Sequence, residues 1–240
     1  MPGRGASGLL YKMSALYGDG SVPTPDAPTQ LVLVRHGESV SNAESTIGGP
    51  RTCEGLSGLG REQCIRLAAR LGRTRELEGG VLYASQYRRA QETARLVAPA
   101  FADAVPLIEP RFGELDPGPE VDGMAFEAFV EHYGTPDFLG DPAVPIFPGG
   151  ESVTALSERV AAAMDDVVAA HPGEIVVVCT HGGVVEAAMR HVVGAPLRGR
   201  FALWTTNASL TVLFRTAWAN EPWRIGRYND AAHLLDGPAG

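Results

Sequence analysis

Short runs of consecutive apolar residues alternate along the chain with segments whose apolar residues recur at helical spacing. The runs at 31–34, 81–83 and 175–179 are typical of buried strands in a parallel sheet. Helical spacing predicts helices over 61–71, 85–98, 124–133, 152–170 and 184–193, and Ser85 resembles the N-cap of the second of these helices. Two more strands are expected near 210–214 and 223–228. Strands that alternate with helices predict an α/β fold, a three-layer α/β/α sandwich around a mostly parallel central sheet.

The first 29 residues differ from the rest, because they are rich in Gly, Pro, Ser and Asp and show little periodicity. We interpret residues 1–29 as a flexible N-terminal extension, or as the product of an upstream start, since Met13 could also begin the protein. Residues 30–240 are expected to form a single domain, because 240 residues with 45% hydrophobic content can bury a sizeable core.

The charge of the chain limits its partners. A formal net charge of −8 argues against nucleic acid or an anionic membrane as a partner, since both require a basic surface. A small anionic substrate remains compatible, because a pocket can be locally positive. Lys12 is the only lysine and lies in the extension, so phosphate recognition would rest on arginine, histidine and backbone amides.

Cysteine and apolar content bear on localisation and cofactors. Cys53, Cys64 and Cys179 are widely spaced and odd in number, which favours reduced thiols in a cytoplasmic protein over a disulfide framework or a metal site. No apolar run reaches the roughly 18 residues that a membrane span requires. We therefore expect no metal, no cofactor and no membrane partner, and a homodimer stays open.

Two histidines follow predicted strands directly. Arg35-His36-Gly37 comes after the strand ending at Val34, and Thr180-His181-Gly182 comes after the strand ending at Cys179. Ligands of open α/β sheets bind beyond the carboxyl ends of the strands, and glycine permits a tight turn there. If the two strands are neighbours, the two imidazoles face one site.

Five segments in this order resemble the histidine phosphatase superfamily, in the branch that contains phosphoglycerate mutases and many small phosphatases. The resemblance covers roughly residues 31–214 and implies a phosphoglycerate mutase-like fold for the domain. The matching segments are Arg35-His36-Gly37-Glu38-Ser39 with Asn42, residues 56–63, Ser85 through Ala94, residues 148–152 and residues 179–183.

The resemblance implies roles for these residues. His36 would be the nucleophile that carries a phosphohistidine, and Arg35, Arg89 and His181 would hold the phosphoryl oxygens. Asn42 would be a weaker neutral contact to the same phosphate. Arg88 competes with Arg89, but the family spacing selects Arg89, which would lie in the first turn of its helix, where anions are favoured.

Three carboxylates compete for the role of proton donor. Residues 111–118 align with the segment that carries the acid in the family and put Glu114 at that position. The sequence departs just after it, with Pro117 in place of the usual aromatic residue, so Glu109 and Glu120 are rivals. A useful general acid requires a pKa raised toward neutrality by burial near the substrate.

The expected activity is that of a metal-independent phosphatase, hydrolysing a small-molecule phosphate monoester. A phosphoglycerate mutase-type transfer is the alternative, but residues 96–110 contain no lysine or arginine, whereas the mutases carry a long basic insert there. A non-catalytic phosphate-binding protein is the third possibility, and it predicts loss of at least one pocket residue. Phe138, Phe147 and Trp204 could line the pocket mouth or belong to the core.

Overall fold

The computed structural model describes residues 27–199, 201–216 and 223–235. Six strands form one sheet: β1 (Thr29–Arg35), β2 (Val81–Ala84), β3 (Leu107–Ile108), β4 (Ile175–Thr180), β5 (Leu210–Arg215) and β6 (Trp223–Asp230). Their spatial order is β3-β2-β4-β1-β5-β6. The pairings among β1 to β4 are parallel, while β5 is antiparallel to both β1 and β6. The prediction of a mostly parallel sheet is confirmed.

The helices of the described residues are α1 (Val40–Ala43), α2 (Gly58–Thr74), α3 (Arg88–Val97), α4 (Phe126–Tyr133), α5 (Val153–Ala170) and α6 (Gly182–Val193). Short 3₁₀ turns lie at Ala98–Phe101, Pro110–Phe112 and Ala232–Leu234. Ser152 begins α5 as its N-cap, its hydroxyl accepting from the Ala155 N–H. Gly194, in the left-handed conformation, ends α6.

Alternating side chains of the central strands build one core on each face of the sheet. Leu31 and Leu33 point toward a cluster formed with α5 and α6, while Val32 and Val34 point toward a second cluster with α2 and α3. β4 divides its side chains in the same way. These strands are continuous apolar runs because both of their faces are buried. The three layers are those of an α/β/α sandwich.

Some sequence-based boundaries were wrong. Ser85 is not the N-cap of α3, which begins at Arg88 after Tyr87, and Tyr87 makes no side-chain cap bond. The short elements α1 and β3 were not predicted. Thr29 already belongs to β1, so the strand begins one residue before the expected domain start at 30. Residues 1–26 of the proposed extension lie outside the described residues.

Candidate active site

The two strand-end histidines meet because their strands are neighbours. Arg35 at the end of β1 is paired with Thr180 at the end of β4, and His36 and His181 follow them directly. The two rings lie with centroids 5.1 Å apart in an edge-to-face arrangement. Both side chains are buried. The expectation of two imidazoles at one site is met.

His36 has a defined tautomer. Its Nδ1 lies 2.6 Å from the carbonyl oxygen of Gly37. A carbonyl oxygen can only accept, so the proton is on Nδ1 and Nε2 keeps its lone pair. Burial, followed by the charges of Arg89 and Arg35, lowers the pKa of His36 well below its usual range. The ring is therefore neutral near pH 7, the state that a nitrogen nucleophile requires.

The Gly37 carbonyl can reach His36 because the loop after β1 is tightly packed. The Gly37 N–H donates to Thr93 Oγ1 at 3.2 Å, and the Thr93 hydroxyl donates to the carbonyl of Arg89 at 2.8 Å. A Cβ on Gly37 would overlap the backbone oxygen of Gly60 and the thiol of Cys64. A glycine is thus required at this position by close approach of the chain.

His181 is oriented by Ser85. Its Nε2 lies 2.7 Å from Ser85 Oγ, and Ser85 follows β2 directly. Its Nδ1 accepts from Arg89 Nε at 3.3 Å, which places the proton of the neutral ring on Nε2. Burial and the charge of Arg89 lower the pKa of His181 well below its usual range. The ring of Tyr87 packs edge-to-face on it at 4.7 Å.

Two arginines provide the positive charge of the site. Arg89, at the second position of α3, is 4% exposed, and its Nε also donates to His36 Nε2 at 3.2 Å. Arg35 donates one Nη1–H to the carbonyl of Thr205, while its buried Nε has no acceptor among the described residues. Arg88 lies on the surface and pairs with Glu92 at 2.8 Å. The geometry thus brings Arg89, and not Arg88, to the histidines.

Glu114 and Asn42 lie at the same cavity. The Glu114 carboxylate accepts from the N–H of Gly183 at 3.1 Å and from that of Leu115 at 3.0 Å, which fixes its direction at the start of α6. A Cβ on Gly183 would overlap this carboxylate. Asn42 completes a capping box with Ser39 at α1.

The two rival carboxylates lie elsewhere. Glu109 is held by Arg111, whose side-chain and backbone N–H groups donate to it and lower its pKa. Glu120 is exposed. Neither is among the described residues that line the cavity. Of the three candidates that the sequence offered, Glu114 is the one that the fold brings to His36.

His36 lines the cavity, whereas the fully buried His181 is not among the described lining residues. The cavity extends beyond His36 and has a volume of about 530 Å³, which is within the range of small-molecule sites. Phe138 and Phe147 line it as the sequence suggested. Trp204 is not one of the described lining residues and is 78% exposed. Within the described residues, no group of three or more His, Cys, Asp and Glu side chains could hold a metal ion.

Sequence reasoning missed Arg159, which holds the segment that carries Glu114. From α5 its guanidinium donates to the carbonyls of Arg111 at 2.6 Å, Gly113 at 2.8 Å and Glu114 at 3.1 Å, and it binds both carboxylate oxygens of Glu151. Glu151 lies in the segment 148–152 that resembles the family, so this segment could have pointed to a structural partner such as Arg159.

The sheet, the paired histidines and the two arginines define an α/β protein with a buried site for a phosphoryl group. The chain belongs to the histidine phosphatase superfamily, branch 1, whose model matches residues 31–231.

Among curated relatives, the chain is 31% identical over 216 residues to a metal-independent phosphoserine phosphatase of Arabidopsis thaliana, covering 86% of this chain and 83% of the relative. It is also 31% identical to phosphoglycerate mutase-like protein 4 of the same plant, covering 85% and 86% of the two chains. Among solved structures, a mycobacterial glucosyl-3-phosphoglycerate phosphatase matches with a TM-score of 0.70 and 26% identity, covering 84% and 98%.

These likenesses confirm the predicted superfamily, its fold and the assignment to the phosphatases, which are phosphoric monoester hydrolases. Across residues 27–199, 201–216 and 223–235, none of the helices combines the length and apolar character of a membrane span. The individual roles of His36, His181, Arg35, Arg89, Asn42 and Glu114 stay predictions.

Proposed function

We propose that this protein hydrolyses a small-molecule phosphate monoester in two steps, with His36 as the nucleophile and Glu114 as the acid and base. The observation that supports this most directly is the His36 ring itself. It is neutral, carries its lone pair on Nε2 and lies 3.2 Å from the Arg89 Nε. A phosphoryl group bound by Arg89 would therefore have its phosphorus near that lone pair.

In the first step, Arg35, Arg89 and His181 hold the phosphoryl oxygens, and the Asn42 amide gives a neutral contact. His36 Nε2 forms a bond to phosphorus while the bond from phosphorus to the ester oxygen breaks. Glu114 gives its proton to that oxygen, so the product leaves as a neutral alcohol. The arginines stabilise charge spread over the equatorial oxygens, which is the main catalytic demand in phosphoryl transfer.

In the second step, water replaces the alcohol. Glu114, now a carboxylate, takes a proton from the water as its oxygen bonds to phosphorus and the bond from phosphorus to His36 breaks. Inorganic phosphate leaves, and both side chains return to their starting states. His181 faces the phosphoryl group through Nδ1, since its Nε2–H donates to Ser85. Nδ1 takes up a proton as the phosphate dianion binds, and it then donates to a phosphoryl oxygen. The same carboxyl group thus serves as the acid in the first step and as the base in the second, as in other enzymes where one residue takes both roles.

The test is phosphate release from p-nitrophenyl phosphate by the purified chain in the presence of a chelator. Acid-labile label from a ³²P ester should appear on the wild-type chain and on a His132→Ala control, whose histidine is exposed on α4. It should be absent from His36→Ala. Label retained by His36→Ala would overturn the nucleophile.

The same assay separates the alternatives. A chain that passes its label only to phosphoglycerate, and not to water, would be a mutase. Mutase activity is measured as formation of 2-phosphoglycerate after 3-phosphoglycerate and the corresponding bisphosphoglycerate are added. A chain that binds phosphate but gives neither label nor release on any ester would be a binding protein. Release to water is the result expected here.

A further inference from the structure

The cavity is elongated along α6. Gly183, Glu186, Ala187 and Arg190 all line it, at the spacing of residues that share one face of a helix. With a rise of 1.5 Å per residue, the seven steps from residue 183 to residue 190 span about 10 Å. Gly183 lies beside Glu114 at the catalytic end. The Arg190 end is therefore too far away to contact the phosphoryl group, and it faces the alcohol portion of a substrate.

The walls between the two ends are mostly apolar. Apolar side chains line the cavity from the loop after Glu114, from the 138–147 segment and from the helices α5 and α6. They are Leu115, Leu139, Ile146, Phe147, Leu156 and Ala187. Apolar walls exclude water from a substrate and offer few partners to a short polyol or an amino acid. The middle of the cavity thus favours an apolar segment of the substrate.

The distal end contains two arginines in different states. Arg190 is fully engaged: it binds Glu186 at 2.7 Å and donates to the carbonyls of Pro196 at 2.7 Å and Phe201 at 2.6 Å. Its charge is balanced by Glu186, so this pair adds no net attraction for an anion. Arg190 instead holds the backbone at Pro196 and Phe201 against α6.

Arg198 is the arginine with unused donors. Its Nη1 donates to the carbonyl of Asp141 at 3.2 Å, but its buried Nε and Nη2 have no acceptor among the described residues. Leaving buried donors unpaired is costly, so such groups call for a ligand or water. Arg35 shows the same state at the catalytic end, where a phosphoryl oxygen would satisfy its Nε. Among the described residues, the cavity therefore has at each end an arginine with buried donors that find no acceptor.

We propose that Arg198 is a specificity-determining residue that binds a carboxylate at the far end of the substrate. The preferred substrate is then a phosphate monoester of an extended, mostly apolar hydroxy acid, with its phosphate at His36 and its carboxylate at Arg198. This inference rests on the proposed function, since it assigns the phosphate to the His36 end. Because both nitrogens are buried, the guanidinium would turn toward the cavity on binding, and the carboxylate would then accept from Nε and Nη2 together, the two-pronged contact that a guanidinium makes best.

The test uses a matched pair of alkyl esters, hexyl phosphate and 6-(phosphonooxy)hexanoate, which differ only in the terminal carboxylate. The wild-type chain should turn over the carboxylate ester with a kcat/KM at least about tenfold higher, as expected for one charge-assisted contact. Arg198→Met should bring this ratio close to one, and Arg198→Lys should give an intermediate ratio because it keeps the charge without the fork. Arg95→Met, which removes an exposed arginine of α3, should keep the wild-type ratio.

A binding measurement separates this inference from the catalytic proposal. Calorimetry of both esters with His36→Ala should show the same preference for the carboxylate ester without any turnover. If hexyl phosphate is hydrolysed and the wild-type ratio is near one, Arg198 has no such role while the phosphatase mechanism stands. If neither ester nor p-nitrophenyl phosphate is hydrolysed but the binding preference is present, the mechanism fails and the distal site stands. Equal binding of both esters overturns the distal site in every case.

Discussion

Ser85 Oγ lies 2.7 Å from His181 Nε2, and both residues are fully buried at the ends of adjacent parallel strands. Because His181 Nδ1 accepts from Arg89, the proton of the ring is on Nε2 and the serine oxygen is its acceptor. The contact fixes which nitrogen of His181 faces the phosphoryl site. It also shows why a serine is found in a place where the sequence suggested a helix cap.

Ser85→Ala should slow catalysis without removing the nucleophile. Loss of the acceptor leaves a buried N–H of His181 unpaired and frees the ring to turn, at a cost of about 1–3 kcal/mol, or roughly a 5- to 150-fold fall in kcat. Label on His36 should still form, but more slowly, in rapid-quench experiments. A thermal melt serves as the control for folding. A kcat equal to that of the wild-type chain would contradict a positioning role for Ser85.

Glu114→Gln should discriminate between leaving groups. Without a general acid, an alkyl ester should lose about 10²–10⁴ in kcat, whereas p-nitrophenyl phosphate, whose leaving group needs no proton, should lose far less in the labelling step. The matched controls are Glu109→Gln, which disrupts only the pair with Arg111, and Glu120→Gln on the surface. Equal losses on both esters with Glu114→Gln, or a selective loss with either control, would reassign the acid.

The main features of fold and site could be predicted because they depend on local pattern. Apolar runs followed by Arg35-His36-Gly37 and by Thr180-His181-Gly182 indicated parallel strands with histidines at one edge, and that is what the sheet contains. Ser85 was misread because a serine shortly before a helix looks like a cap in sequence, whereas its partner, His181, directly follows the neighbouring strand β4. Tertiary contacts of that kind leave no local signal.

Other features could not be predicted from the sequence, for different physical reasons. The two-residue strand Leu107–Ile108 is exposed and too short to show periodicity. The helix Val40–Ala43 is equally short, although its capping box of Ser39 and Asn42 was visible in the sequence. The distal end of the cavity combines segments around 139, 190 and 198, and no spacing rule connects positions that only the folded chain brings together.

Acid should destabilise the folded chain through its two active-site histidines. Both have a pKa well below the ordinary 6.5 when folded, because burial and Arg89 oppose their charge. In the unfolded chain they bind protons near pH 6.5, so the unfolded state holds more protons below that pH. The free energy of unfolding should therefore fall as the pH drops below about 6.5, and continue to fall until the lowered pKa values are reached.

The measurement is the Tm between pH 7.5 and 5 at constant ionic strength without phosphate. The double variant His36→Gln/His181→Gln should show a flatter profile over this range, because it lacks both groups. Inorganic phosphate should reduce the slope for the wild-type chain, since a bound dianion favours the charged rings. Parallel profiles for wild type and double variant would show that other groups cause the acid sensitivity.

Arg159→Lys should weaken both the fold and the acid step. One guanidinium joins Glu151 to three backbone carbonyls of the segment that carries Glu114, and the three donors of an ammonium cannot reproduce that fork. The free energy of unfolding should fall by about 2 kcal/mol or more. Alkyl ester turnover should fall further than aryl ester turnover, since a displaced Glu114 slows only the departure of a leaving group that needs its proton.

Arg111→Lys is the matched control, because its half-exposed pairs with Glu109 and Asp166 should contribute only about 0–1 kcal/mol. A loss of stability with an unchanged ratio of alkyl to aryl turnover would mean that Arg159 supports the fold without positioning Glu114.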